Sequence, residues 1–248
     1  MTIKKIIIQG KGSIGVRHAN NLIKLGYHPV FLREKNEKKN IPHDLENIQE
    51  IFSFKEAIEM KPIGAVIATP TIFHPEHAIG FLKNKIPTYI EKPLGFKISK
   101  NNLDLLMSYS EKVLIHGGFN FLYTKEIQDI KKKIHLLKNK ISTVEIKCHT
   151  NANKWHTWEN PKKSYTFRKD LGGGVVHTCS HEVNFLVNFF PDAEFIDSNN
   201  KFENEVCTIS YSKFHDNEVK IEMNLDFIND INERYIKINF KDNNSFKF

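Results

Sequence analysis

Near its start the chain carries a short apolar run, Ile6-Ile7-Ile8. It leads at once into Gly10-Lys11-Gly12-Ser13-Ile14-Gly15, and then into a segment with helical periodicity through Leu25. No other feature restricts the fold as much. Glycines at this spacing, set between a strand and a helix, allow a tight turn and close helix-on-strand packing, and they leave the turn's backbone amides open to an outside group. The start of a helix favours negative charge, so the group this turn suits is a phosphate or pyrophosphate. With the strand before it and the helix after it, the pattern reads as a dinucleotide-binding fingerprint rather than a structural glycine turn.

Beyond the turn, apolar runs alternate with helical patterns. The first strand covers residues 3–8, the second 29–32, and a third 65–68 precedes a helix from His74. Residues 88–90 precede a helix after Ser99, and residues 113–116 close the series. Ser53 and Glu56 have capping-box spacing and start another helix that runs through Met60. This alternation predicts a doubly wound parallel sheet of the Rossmann kind over residues 1–118. Past Gly117-Gly118 the texture changes to a lysine-rich helix over 125–138, a strand at 143–148, and alternating segments at 206–211, 219–227 and 235–240. These predict a C-terminal α+β domain over residues 119–248 with a mainly antiparallel sheet facing its core on one side. The fold class is therefore α/β, with a Rossmann domain followed by an α+β domain.

Composition matters mainly for what it excludes. With 36 Lys and Arg against 29 Asp and Glu, the formal charge is +7, but only Arg17, Arg33, Arg168 and Arg234 are arginines. Basic residues spread along the chain and mostly lysine describe a solvated surface, so no nucleic-acid partner is expected. Cys148, Cys179 and Cys207 are scattered, odd in number and lack a Cys-x-x-Cys pair, so neither a disulfide framework nor a zinc site is expected. No apolar stretch approaches the ~20 residues of a membrane span, and the first apolar run is too short for a signal-peptide core. The expectation is a cytoplasmic protein without a membrane partner or a metal.

The positions after each strand carry the candidate chemistry, because ligands of open α/β sheets bind beyond the carboxyl ends of the strands. In Phe31-Leu32-Arg33-Glu34, a strand ending at Leu32 puts Arg33 in the place that chooses between dinucleotides and favours NADP; a strand ending one residue later puts Glu34 there and favours NAD. Thr69-Pro70 and Glu91-Lys92-Pro93 end two further strands, and Lys92 reads as a held ammonium. Farther on, Asp170-Leu171-Gly172-Gly173-Gly174 leads into an expected helix. On it Val183, Leu186, Val187 and Phe190 form an apolar stripe, and His177, His181, Asn184 and Asn188 share another face. The two histidines read as acid/base candidates, and Cys179 as packing.

Together these residues resemble the glucose-fructose oxidoreductase/inositol dehydrogenase/MocA family, from the glycine turn through Ala68-Thr69-Pro70 and Glu91-Lys92-Pro93 to the glycine triplet with His181. Gly12 to His18 with Asn21-Leu22, residues 155–159, Ser164-Tyr165 and Ser180-His181-Glu182 look like a branch associated with surface-polysaccharide sugar synthesis. The resemblance covers about residues 1–190. It implies an NAD(P)-dependent oxidoreductase that moves hydride between nicotinamide and a hydroxyl or keto carbon of a sugar or nucleotide sugar. It gives Gly10, Gly12, Ser13, Ile14, Gly15, Arg33, Thr69, Pro70, His74, Glu91, Lys92 and Asn120 to the cofactor, NADP being slightly favoured over NAD. Lys92 then hydrogen-bonds the reacting oxygen and His181 moves its proton, while Trp155, His156, Tyr165, Arg168 and His181 line the substrate side. A homo-oligomer built through the C-terminal sheet is also implied.

Two departures bear on activity. Many members of the family carry an acid shortly before the catalytic histidine, where this chain has Thr178 or His177, and most continue well past the position of Phe248, which implies a shortened second domain. Both departures leave room for a non-catalytic NAD(P)-binding sensor or scaffold. A reductase of a non-sugar ligand such as a biliverdin-like molecule is a third reading, to which the polar segment 155–168 is less suited.

Overall fold

A computed structural model of the chain describes residues 4–33, 47–155 and 160–248; Ile3, Glu34, His156, Thr157, Trp158 and Glu159, all used in the sequence reading, lie outside them. The chain divides into two compact units, Met1–Gly118 and Phe119–Phe248.

In the first unit, β1 (Lys5–Gln9) is followed by α1 (Ser13–Lys24), β2 (His28–Leu32), β3 (Glu50–Ile51) and α2 (Phe54–Glu59). Then come β4 (Gly64–Ile67), α3 (His74–Lys83), β5 (Thr88–Ile90), α4 (Lys100–Ser110) and β6 (Ile115–Gly117). The strands lie in the order β3-β2-β1-β4-β5-β6, with every neighbouring pair parallel. Successive residues of a strand point to opposite faces, and β1 shows why helices must cover both. Ile7 is fully buried in one core with Ala78, Phe81 and Leu82 of α3, and Ile8 is fully buried in another with Val16 and Ala19 of α1. The strand order reverses between β1 and β4, and at such a switch point the chain leaves the sheet in opposite directions and opens a crevice. Ser53 does stand at the N-cap of α2, but its hydroxyl caps no backbone amide, whereas Ser99 accepts from Asn102 N at the start of α4.

The second unit contains α5 (Lys125–Leu137), β7 (Ile141–Asn151), α6 (Val175–Thr178), α7 (Ser180–Phe189), β8 (Glu194–Glu203), β9 (Val206–Asp216), β10 (Val219–Asp226), β11 (Ile228–Phe240) and β12 (Ser245–Lys247). Its sheet runs β12-β11-β7-β10-β9-β8. Period-two burial places Val144, Ile146, Ile221, Met223, Leu225, Ile236 and Ile238 in one core with Ile127, Ile130 and Ile134 of α5 and Phe185, Leu186 and Phe189 of α7.

The sheet is mainly antiparallel, as expected, with one parallel pair, β7 and β10. Their connection runs through two helices and two strands, and only a tight hairpin would force an antiparallel pair. Two expectations need correction here. The helix expected across His177 and His181 is two helices, broken at Cys179 (φ −90°, ψ 36°). The break restarts the register, so Val187 is 59% exposed, while Leu186 and Phe190 of the expected stripe are buried beside Phe185 and Phe189. His177 and His181 accordingly lie on different helices.

Candidate functional site

The glycine turn shows its purpose in what a side chain would meet. A Cβ on Gly10, whose φ is +105°, would lie 2.6 Å from Ala68 O, and one on Gly15 would lie 2.1 Å from Gly10 O. Both glycines are therefore demanded by packing of the turn against β4 and of α1 against the turn. Gly12 differs, because among the described residues nothing lies within 4 Å of its ideal Cβ. It is the N-cap of the 12-residue α1, with no side chain capping the amides and no acidic residue in the first turn, where Ser13 and Ile14 follow. The space and the open amides are what a pyrophosphate needs, so the turn fits a dinucleotide.

Backbone hydrogen bonds set the other turns beside it along the carboxyl edge of the sheet. Gly10 N donates to Leu32 O, Ala68 N to Gln9 O, and Glu91 N to Ile67 O, each within 3.0 Å. Thr69 and Pro70 then lead into α3, with Thr69 Oγ1 3.1 Å from His77 Nδ1.

Two residues expected to touch the cofactor instead brace this edge. His74 is 2% exposed, with Nε2 2.7 Å from Thr69 O and Nδ1 2.8 Å from Pro93 O, so it clamps the Thr69-Pro70 and Lys92-Pro93 turns together. Only an imidazolium could donate to both carbonyls. Burial nevertheless outweighs their pull and holds the His74 pKa below the ordinary histidine value. Glu91 spends both oxygens, Oε1 lying 2.7 Å from His18 Nε2 and Oε2 accepting from Lys92 N at 3.1 Å. Burial pushes its carboxyl up, but the His18 hydrogen bond and charge and the Lys92 amide outweigh burial and hold it below the usual glutamate range. His18 on α1 also meets Tyr89 edge-on at 5.2 Å. The glycine-turn helix is thus tied to the Glu91-Lys92 turn, in which Lys92 is half-buried and precedes a cis Lys92–Pro93 bond. The sequence reading missed His18, although its position inside the resembling segment was visible.

β2 ends at Leu32, so Arg33 takes the discriminating position, and Glu34 lies outside the described residues. Arg33 Nη1 is 3.2 Å from Glu50 Oε2, and Glu50 was not singled out in the sequence.

In the second unit, His181 lies in the first turn of α7, half-buried, with the rings of Phe121 and Phe119 at 5.8 and 6.2 Å. Glu182 beside it is 2% exposed and accepts from Arg234 Nε at 2.6 Å, an ion pair that pins α7 to β11. Burial lowers the Arg234 pKa and the Glu182 charge outweighs it, so the net shift is upward. Cys148, Cys179 and Glu182 place one ligand atom each within 4.8 Å of one another, but the guanidinium fixed on Glu182 opposes a cation there. Thr178 is 8% exposed, and His177 Nδ1 lies 3.2 Å from Gly173 O. Asn120 begins a 3₁₀ turn and is exposed.

Of the substrate-side residues, Trp155 is 40% exposed and donates from Nε1 to Thr150 Oγ1 at 2.9 Å. Tyr165 opens a 3₁₀ turn that the glycine triplet packs on, through Gly173 N to Arg168 O and Gly174 N to Thr166 O. Arg168 already holds a carboxylate, its Nε and Nη2 both donating to Asp170, which raises the arginine's pKa and lowers the aspartate's. Its fork is therefore less open to a substrate phosphate than its position in the sequence implied. His156 lies outside the described residues.

No family model matches the chain. Among curated proteins, the glucose-6-phosphate 3-dehydrogenase of Bacillus subtilis (strain 168) is 26% identical over 191 residues, 71% of this chain and 51% of that protein. The match thus spans about half the length of that relative. Among solved structures, myo-inositol 2-dehydrogenase from Lactobacillus plantarum superposes with a TM-score of 0.78 at 16% identity, covering 100% of this chain and 76% of that one. The WlbA dehydrogenase from Bordetella pertussis, solved with NADH and UDP-GlcNAcA, gives 0.79 at 15% identity, covering 97% and 76%. The chain has the fold of these dehydrogenases, in agreement with the resemblance drawn from its residues.

Proposed function

We propose that the chain is an NAD(P)-dependent oxidoreductase of the glucose-fructose oxidoreductase/inositol dehydrogenase/MocA type, acting on a hydroxyl or keto carbon of a sugar or nucleotide sugar. The observation that carries this reading is the glycine turn at the switch point, with open space over Gly12 and uncapped amides at the start of α1. The bound dinucleotide would supply or accept the hydride. Gly10, Gly12, Ser13, Ile14 and Gly15 would hold its pyrophosphate, and Arg33, Thr69, Pro70 and Asn120 would contact the rest. His74 and Glu91 act through the turns they brace.

On this reading the Lys92 ammonium stabilises negative charge developing on the reacting oxygen, and Glu91 sets the backbone from which that ammonium projects. His181 moves the oxygen's proton, since an imidazole titrates near neutrality. Glu182 and Arg234 keep the helix carrying His181 on the sheet. Trp155, Tyr165 and Arg168, with His156 and His181, are the substrate-side set; Thr178 and His177 are the candidates for orienting the proton carrier.

The named relatives act on sugars or inositol, or were solved with a nucleotide sugar, which supports that substrate class. A role in surface-polysaccharide sugar synthesis belongs to the same proposal and rests on the resemblance of the sequence motifs. The three cysteines are thiols, which supports a reducing, cytoplasmic setting, and no helix among the described residues is long and apolar enough to cross a membrane. A homo-oligomer through the second sheet is supported by edge strand β8, where Phe195, Ile196 and Phe202 are each more than half exposed. The direct test is a screen of sugars and nucleotide sugars with both dinucleotides, read by nicotinamide absorbance. Turnover with one class is expected. Dinucleotide binding without turnover on any of them would favour the sensor instead.

A further inference from the structure

A carboxylate stands at the edge where the adenosine half of a dinucleotide is read. Glu50 begins β3, with its Cα opposite Phe31 of β2. Its Oε1 lies 2.5 Å from the Nζ of Lys11, the second residue of the glycine turn, and its Oε2 lies 3.2 Å from Nη1 of Arg33, the first residue after β2. The Lys11 ammonium also sits 5.5 Å from the centroid of the Phe31 ring. None of the three charged side chains is more than 26% exposed. Backbone bonds hold their positions, Arg33 N donating to Ile51 O and Gly10 N to Leu32 O. Neighbouring strands and the turn above them therefore bring two cations and one anion together on a rigid edge.

An arginine in this place alone favours a 2′-phosphate, and an acid favours the free ribose hydroxyls. Here both groups are present, and the acid arrives from the adjacent strand rather than from the end of β2. We infer that Glu50 is the cofactor-selecting residue, accepting hydrogen bonds from the adenosine ribose hydroxyls and engaging Lys11 and Arg33, so that the chain prefers NAD(H) to NADP(H). This inference rests on the dinucleotide-binding reading above. The physical basis is a charge comparison. Glu50 already engages both cations, so a 2′-phosphate bearing close to two negative charges at neutral pH would have to settle directly against its carboxylate. A neutral hydroxyl meets the same carboxylate as a donor and is favoured by it. The acid is thus both the attractive element for one dinucleotide and the repulsive element for the other.

The test is a set of fluorescence titrations of the whole chain with NADH and with NADPH, for the wild type, Glu50→Gln, and Glu50→Gln combined with Arg33→Ala. The wild type is expected to bind NADH more tightly. Glu50→Gln keeps the side chain's shape and removes the negative charge beside both cations, and should shift the affinity ratio toward NADPH by about tenfold or more, a shift that shrinks as salt is raised. Adding Arg33→Ala should remove most of that gain. A wild type that prefers NADPH, or a ratio that stays within about twofold in Glu50→Gln, overturns the inference and leaves the dinucleotide reading standing. A gain that survives loss of Arg33 also overturns it. A wild type that binds neither dinucleotide overturns both readings together. Should Glu50→Gln fail to fold, Glu50→Asp, which draws the carboxylate back by one methylene, reads the same ratio and must move it in the same direction.

Discussion

Replacing Gly12 with valine separates folding from dinucleotide binding. The Gly12 backbone is extended (φ −85°, ψ −178°), which valine adopts, and its Cβ would point into space with no atom of the described residues within 4 Å. The folded state therefore meets no clash. The main cost is a poorer N-cap, since valine ranks well below glycine there, and this amounts to at most about 1 kcal/mol. The isopropyl group would nevertheless fill the space through which a pyrophosphate reaches the amides of α1. If two charge-assisted hydrogen bonds are lost at about 1.5 kcal/mol each, the penalty is about 3 kcal/mol. That corresponds to a binding loss of roughly 150-fold, at 1.4 kcal/mol per factor of ten. Urea unfolding and NADH fluorescence titration on the same preparation measure the two effects. A Gly12→Val protein that is folded and binds NADH within about threefold of the wild type would refute the assignment of the turn. So would a loss of stability well above 1 kcal/mol, because the space over Gly12 would then not be open.

Gly15→Ala should behave in the opposite way: its Cβ would lie 2.1 Å from a backbone oxygen that cannot swing aside, so urea unfolding should show a loss of about 1–3 kcal/mol even without cofactor. Stability should also fall in acid. The folded pKa values of His74 and His77 are lowered from 6.5, so their contribution is fully present above 6.5 and declines as pH falls from there toward the folded values. Glu91, lowered from 4.5, adds a contribution that is present above 4.5 and is lost as pH falls through its folded value; urea midpoints that stay flat from pH 7 to about pH 5 would contradict the two histidine shifts, and midpoints that show no further fall below pH 4.5 would contradict the Glu91 shift. His181→Ala should lower kcat by about 100-fold or more while NADH affinity stays nearly constant, as checked by steady-state rates beside a binding titration, and an unchanged kcat and pH profile would move the proton carrier elsewhere.

By itself the sequence determined the local elements whose signals sit within a few residues. The strand, glycine turn and α1 were legible because burial on both sheet faces leaves a continuous apolar run, and because the turn's geometry admits only glycine at positions 10 and 15. The end of β2 at Leu32 was one of two alternatives, and β7, β9, β10, β11 and α5 of the second unit were legible from their periods. Strand β8 was not, since every residue in it is exposed and it carries no alternation to read. The break at Cys179 was also hidden, because it lies in a backbone torsion that the residue type does not announce, and it put His177 and His181 on separate helices.

What only the tertiary structure decided is where long-range partners go. His74 and Glu91 looked like ligands at the ends of strands, and the fold spends their polar atoms on Thr69, Pro93, His18 and the Lys92 amide. Glu50 is 39 positions from Lys11 in the chain and shares an edge with it only because β3 pairs with β2 beneath the turn. Local propensity and spacing act over a turn or two of chain, whereas charge pairing acts through space, so the elements could be read from the sequence and the partners of its charged side chains could not.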